Sequence, residues 1–275
     1  MATRDQRRRQ LAREKFERQR QRRAVQRHRT RLRNVVLAGG LAVVLAAGAA
    51  AYAVTGFGGE DEKSDSAAPS PSPTAKDPCA KPAKGSPGTS QWKKEPPLTI
   101  DKSAAYTMNL ETTCGDIGIA LDAAKAPHTV NSFNFLAGKG FFDHTKCHRL
   151  TTGGIFVLQC GDPKGTGQGG PGYTIPDENL KDQKLKGKVY PAGTVAMANQ
   201  YNAQSGKGRN TGGSQFFLVY QDSQLPPDYT PFGTIAGGKD VLKKIADAGA
   251  TPPDAARNTA PNATVVIDKA TVSKS

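Results

Sequence analysis

Residues 35–57 (VVLAGGLAVVLAAGAAAYAVTGF) contain no charged side chain, and this run limits what the chain can become more than any other feature. At ~1.5 Å rise per residue, roughly 20 helical residues cross the ~30 Å hydrocarbon core of a bilayer. In lipid each backbone amide must be satisfied within its own segment, so a helix is the conformation open to such a run. Its flanks differ in charge. Residues 1–34 carry 14 Lys/Arg against 3 Asp/Glu, whereas Glu60, Asp61 and Glu62 follow the run. Basic flanks stay on the cytoplasmic face, which predicts a cytoplasmic N-terminus and an extracytoplasmic remainder. A cleaved signal peptide is the competing reading, with Ala51-Tyr52-Ala53 as a small-residue cleavage site. The basic segment is long for a signal n-region and the apolar run long for an h-region, so an uncleaved single-pass anchor is expected.

The net charge of +14 belongs mostly to that tail, since the other 241 residues hold 24 Lys/Arg and 21 Asp/Glu. A nucleic-acid-binding globular domain is therefore not expected. Anionic headgroups attract juxtamembrane cations at ~1 kcal/mol each, which favours lipid contact over nucleic-acid contact for residues 1–34. Residues 58–97 hold eight of the nineteen prolines together with many Ser and Ala. That composition predicts a disordered linker, spanning ~35 Å root-mean-square as a flexible coil. Trp92, the sole tryptophan, lies near its end. It has two readings, packed on a folded domain or solvated.

Residues 98–275 are enough for a single core. Residues 106–112 alternate apolar and polar, Cys114-Gly115-Asp116 reads as a turn, and 117–121 continues as the second strand of a hairpin. Val130, Phe133 and Leu136 recur at helical spacing behind Pro127 and ahead of Gly138. Short strand-like runs follow at 148–150, 156–159, 193–197, 215–219, 232–235 and 264–267, with a second helix over 239–248. Many short strands, glycine-rich connections and two separated helices predict a mainly β fold, a closed barrel with helices covering its ends.

Three chemical constellations fail on inspection. Gly165-Thr-Gly-Gln-Gly-Gly170 matches a dinucleotide fingerprint by letter, but Pro171-Gly172 follows where a helix should begin. Ser214 lacks the close-packing glycine of a nucleophile elbow, because Phe216 stands there. His144, Cys147, His148 and Cys160 could only form a zinc site with a bend, since Cys147 and His148 point to opposite faces of a strand. No metal is expected. All four cysteines follow the apolar run, in the expected oxidising compartment. Cys147 and Cys160 are placed symmetrically about Gly153-Gly154 and suit a cross-strand bridge, which leaves Cys79 and Cys114 as a second pair; buried free thiols are the alternative.

The remaining motifs form an ordered set: His148-Arg149, Phe156-Val157-Leu158-Gln159-Cys160-Gly161-Asp162, Met197-Ala198-Asn199, Gly213-Ser214-Gln215-Phe216-Phe217 and Phe232-Gly233. Together with Ala126-Pro127-His128-Thr129-Val130-Asn131-Ser132-Phe133 they resemble the cyclophilin signature over about residues 104–272. The resemblance implies an eight-stranded barrel capped by two helices, peptidyl-prolyl cis-trans isomerase activity, proline-containing polypeptide substrates, no cofactor and a monomer. It makes Arg149 the catalytic arginine and Gln159 its support. It assigns Phe156, Val157, Phe217 and Leu225 to the proline pocket, and Ala198, Asn199 and Gln215 to the peptide backbone. Tyr229 stands where the family often has histidine, and about seven extra residues lie between Asn199 and Asn210. A non-catalytic module that binds proline-containing peptides is the alternative from another class. One tension remains. Pairing Cys147 with Cys160 sets Gln159 opposite His148, on the other face from Arg149, unless a β-bulge near Val157-Leu158 shifts the register.

Overall fold

Period-two alternation builds the first hairpin. In β1 (Tyr106–Thr112) Tyr106, Met108 and Leu110 are buried, and in β2 (Gly115–Leu121) Ile117, Ile119 and Leu121 face the same core. The turn lies at Thr113-Cys114, and Gly115 already belongs to the strand with φ at +127°. The structure is a computed structural model that describes residues 77–254 and 259–275. The expected basic tail (1–34), transmembrane helix (35–57) and first part of the linker (58–76) lie outside the described residues. Among the described residues no helix is long and apolar enough to cross a membrane.

Helix α1 (Pro127–Gly138) starts with proline at its first turn, where the missing N–H costs nothing. Its cap comes from far away in sequence. The Glu178 carboxylate accepts the backbone N–H groups of His128 and Thr129 at 3.0 and 2.9 Å, which satisfies orphan donors and sets a negative charge at the positive end of the helix. Val130, Phe133, Leu136 and Ala137 face inward. Phe133 meets Phe142, Phe216 and Phe232 at centroid distances of 5.2, 5.5 and 4.6 Å, and this aromatic cluster fills the interior. Helix α2 (Lys239–Asp247) buries Leu242 and Ile245.

The described residues are mainly β with two α-helices, as expected for this part, but the barrel is not closed by hydrogen bonds. The further strands are β3 (Thr145–Lys146), β4 (Arg149–Leu150), β5 (Val157–Cys160), β6 (Val189–Tyr190), β7 (Thr194–Met197), β8 (Phe216–Val219), β9 (Ser223–Gln224), β10 (Pro231–Gly237) and β11 (Val266–Lys274). Nine of them form one curled sheet in the order β3-β11-β1-β2-β10-β7-β8-β5-β4, and β6 pairs with β9 separately. Eight strands in a closed ring are thus corrected to nine in an open, half-barrel ladder. Its edges, β3 and β4, are consecutive in the chain and joined by Cys147 and His148, so covalent continuity spans the gap.

Residues 77–97 form neither helix nor strand, in keeping with their composition, yet they run along the domain as an extended strap. Cys79 is bonded to Cys114, and Ala83 N–H donates to Asp268 Oδ1 at 2.9 Å. Trp92 is packed: its ring lies 5.1 Å from that of Phe135 and 5.9 Å from that of Phe141. The tether composition shows that a segment cannot build its own core. It does not prevent one aromatic anchor from docking on a core that already exists.

Candidate active site

The strand edge that carries Arg149 sets its partners. Arg149 pairs with Gln159 and Leu150 with Leu158 across β4 and β5, and Gln159 pairs with Phe217 across β5 and β8. Leu150, Leu158, Cys160, Phe216 and Leu218 point into the main core. Alternation therefore turns Arg149, Val157, Gln159, Phe217 and Val219 to the opposite face of the sheet. The register tension is resolved, though not where expected. The ladder from Arg149 to Leu158 runs without a slip, and Cys147 is nevertheless bonded to Cys160. The extra residue is His148, between β3 and β4, and not a bulge at Val157-Leu158.

On that face the polar side chains form a chain of oriented amides. Arg149 Nη1 donates to Gln159 Oε1 at 3.4 Å, Gln159 Nε2 to Gln215 Oε1 at 2.9 Å, and Gln215 Nε2 to the Gly169 carbonyl at 2.8 Å. Each amide oxygen accepts from the guanidinium side and each amide nitrogen donates away from it, so the pattern is consistent from end to end.

Beside this chain lies a second apolar cluster, separate from the main core. Val157, Leu185, Tyr190, Ala196, Phe217 and Val219 are buried in it, with Ala198, Leu225 and Tyr229 half-buried at its rim. Phe217 and Tyr229 meet edge-on at 5.5 Å. Burial raises the Tyr229 phenol above its ordinary pKa, the Asp228 charge adds to this, and the Arg149 charge opposes it. The guanidinium is thus close enough to be felt at the rim of the cup. Among the expected pocket residues Val157, Phe217, Leu225 and Tyr229 are brought together. Phe156 lies outside this cluster, and its ring meets that of Tyr220 edge-on at 5.9 Å.

Tyr190 escaped the sequence reading. Its hydroxyl donates to the Tyr229 carbonyl at 2.7 Å and accepts the Tyr229 N–H at 3.1 Å, holding the segment that carries the rim. It lies in a two-residue strand, too short to show a period; the available signal was a tyrosine next to a valine.

Ala198 and Asn199 continue β7 past its end. Ala198 N–H donates to the Gln215 carbonyl at 2.9 Å, and Asn199 Nδ2 donates to the Asp228 carbonyl at 2.8 Å. The extra residues are clasped to the same place. The Arg209 guanidinium stacks on the Tyr201 ring and pairs with the Asp228 carboxylate. A cleft of about 730 Å³ opens between Gln159, Ala198, Asn199, Gln215 and the 167–174 loop. A second, of about 540 Å³, lies against His148, Arg149 and Gln159. Gln159 stands at the wall common to both. Burial pushes the His148 imidazole below its ordinary pKa, which leaves the positive charge at this place to Arg149.

The glycine-rich loop is wrapped around a carboxylate and does not open onto a helix. Asp162, fully buried, accepts backbone N–H groups from Lys164, Thr166, Gly167, Gln168 and Gly169. A Cβ on Gly169 would fall 1.8 Å from Asp162 Oδ1, so this position admits only glycine. Ser214 Oγ donates to the Gly161 carbonyl at 2.7 Å, the role of a structural hydroxyl. Cys147 and Cys160 are bonded to each other and are not free as thiolate ligands.

Comparison with known proteins places these residues in a wider set. A family model described as cyclophilin type peptidyl-prolyl cis-trans isomerase/CLD matches residues 107–272. A probable peptidyl-prolyl cis-trans isomerase B of Mycobacterium leprae is 55% identical over 155 residues, covering 53% of this chain and 50% of that relative. Peptidyl-prolyl cis-trans isomerase B of Bacillus subtilis is 39% identical over 123 residues, covering 44% of this chain and 77% of that relative. The crystal structure of a Cryptosporidium parvum cyclophilin type peptidyl-prolyl cis-trans isomerase superposes with a TM-score of 0.50 at 27% identity, covering 62% of this chain and 98% of that one. The chain spans about half the length of the mycobacterial relatives it matches.

Proposed function

The chain belongs to the cyclophilin type peptidyl-prolyl cis-trans isomerase family, and from that premise we propose that it catalyses the cis-trans isomerisation of Xaa-Pro bonds in exported proteins and so assists their folding. The observation that carries this reading is the ladder of Arg149 on Gln159 on Phe217, which sets a guanidinium beside an apolar cup.

Twisting an Xaa-Pro amide sacrifices C–N double-bond character, with a barrier of ~18–20 kcal/mol. No bond breaks, so neither a nucleophile nor a general base is required. What lowers the barrier is tighter binding of the twisted state than of either planar one. Rotation leaves a lone pair on the pyramidal prolyl nitrogen. A guanidinium cannot deprotonate, and it donates to that lone pair or polarises the imide oxygen. Val157, Phe217, Leu225 and Tyr229 hold the ring while Ala198, Asn199 and Gln215 engage the peptide backbone. Gln159 is a positioning residue: by accepting from Arg149 Nη1 it fixes the fork before substrate arrives. In a protease-coupled assay the full chain should accelerate cis-to-trans conversion of a prolyl tetrapeptide well above the spontaneous rate. An unchanged rate would leave a peptide-binding module.

Location is part of the proposal. A transmembrane helix over 35–57, its N-terminus in the cytoplasm, tethers the catalytic domain on the extracytoplasmic side. Two disulfides within the folded part support an oxidising compartment. A membrane-impermeant thiol reagent applied to intact cells should label cysteines introduced in 58–76 and spare those introduced in 1–34. The reverse labelling would overturn the orientation.

A further inference from the structure

The larger cleft has two walls of different origin. One is formed by Ala198, Asn199 and Gln215, and the other by the strap, with Gln91, Lys93, Lys94 and Glu95 lining it. The strap is locked against the domain here. Gln91 Nε2 donates to the Gly170 carbonyl at 2.7 Å, and Trp92 N–H donates to the Pro171 carbonyl at 2.8 Å. Gly172, with φ at +91°, lies directly beneath: a Cβ there would come 2.8 Å from the Trp92 carbonyl oxygen. The surface under the strap is therefore shaped to receive it.

We infer that the strap forms part of the substrate groove, and that Lys93 and Lys94 favour polypeptides carrying Asp or Glu close to the target proline. The inference rests on the isomerase reading, which places the proline ring over Val157 and Phe217. A chain whose proline sits in that cup and whose backbone passes Ala198, Asn199 and Gln215 runs on into the strap-walled cleft. The charges it meets there are unbalanced. Lys93 and Lys94 are exposed and make no ion pair with a described residue, and Lys164 lines the same cleft. The acidic residue among the lining positions, Glu95, is turned to the His128 ring at 2.5 Å. Two unpaired ammonium groups on a wall fixed to the domain offer complementary charge to carboxylates, and ordering the two lysine side chains limits the gain to a modest one.

The test compares prolyl peptides carrying two glutamates before the proline, two after it, and glutamine counterparts of each. Full-length wild type and the double variant K93E/K94E are measured at low ionic strength. For one placement the glutamate peptide should exceed its glutamine counterpart about threefold to tenfold, as expected for two exposed charge contacts. That ratio should collapse toward one at about 0.5 M salt. It should fall below one in K93E/K94E. Both kcat/KM and Kd from fluorescence anisotropy are read. Equal values for all placements, or a preference kept by K93E/K94E, would overturn the inference. A preference in Kd without turnover of any peptide would sustain it and overturn the isomerase reading alone.

Discussion

Arg149→Ala should lower kcat/KM for a prolyl tetrapeptide by about 10²- to 10³-fold, the loss typical when one preorganised donor to a developing charge is removed. Peptide affinity should change little, because the cup and the Ala198–Gln215 hydrogen bond do not depend on the guanidinium. Equal falls in kcat and kcat/KM would mark an interaction made in the twisted state alone. Arg149→Lys keeps the charge but loses the planar fork that Gln159 orients, so it should recover only part of the rate. Gln159→Leu should act through the same route: it leaves the charge in place, frees the fork, and strands Gln215 Oε1 without its donor. If Arg149→Ala kept the wild-type rate, transition-state stabilisation by this residue would be refuted whatever the cup does.

That the cup and the arginine belong together was legible through the resemblance alone, and strand alternation in the structure supplies the physical reason. Val157 and Phe217 sit one position out of phase with core residues Leu158 and Phe216, and a period of two then assigns them to the other face. Where neither a motif nor a side-chain period marked a feature, the reading stopped short. The symmetry of Cys147 and Cys160 correctly suggested the bridge but could not say which residue absorbs the offset, because an unpaired residue at His148 and a bulge at Val157-Leu158 satisfy the same spacing. Strand β11 was expected only to Ile267, since Asp268, Lys269 and Thr271 look like loop residues. They are polar because that strand has a solvent face, while Ala270 keeps the inward phase. Closure of the barrel was inferred from strand number, which says nothing about whether the edges β3 and β4 share a ladder. Phe156 is assigned to the pocket from its place in the motif; β5 begins one residue later, and the Phe156 ring meets Tyr220 beside the apolar cluster. Tyr190 was missed because a two-residue strand shows no period, and the docking of Trp92 stayed open because its partners Phe135 and Phe141 are distant in sequence.

Asp162 is the strongest instance of a site invisible to pattern, and replacing it should have the largest effect on stability. Its carboxylate accepts the N–H of Lys164 at 2.8 Å through one oxygen, and those of Thr166, Gly167, Gln168 and Gly169 at 2.9, 2.7, 3.1 and 3.0 Å through the other. Asp162→Ala strands these five donors; water satisfies those near the surface, so the cost is less than the sum of five buried losses. About 3–5 kcal/mol is expected, a fall in Tm of roughly 10 °C for a domain of this size. Activity should fall as well, because the Gly169 carbonyl that anchors Gln215 loses its fixed position. Burial pushes the Asp162 carboxyl up, but the backbone N–H groups of Gly169, Lys164 and Thr166 outweigh it and hold the carboxyl below the ordinary value of 3.8. The folded state therefore favours the ionised form. This stabilisation is complete well above pH 3.8 and is lost as pH falls through 3.8 toward the lower folded value. Asp162→Asn keeps the shape but turns an amide N–H₂ toward donors. It should be destabilised at pH 7 and should lack this part of the acid-limb slope in urea denaturation measured from pH 7 to about pH 2. A variant within about 1 kcal/mol of wild type at pH 7, or one with the wild-type acid slope, would show that the loop does not depend on this charge.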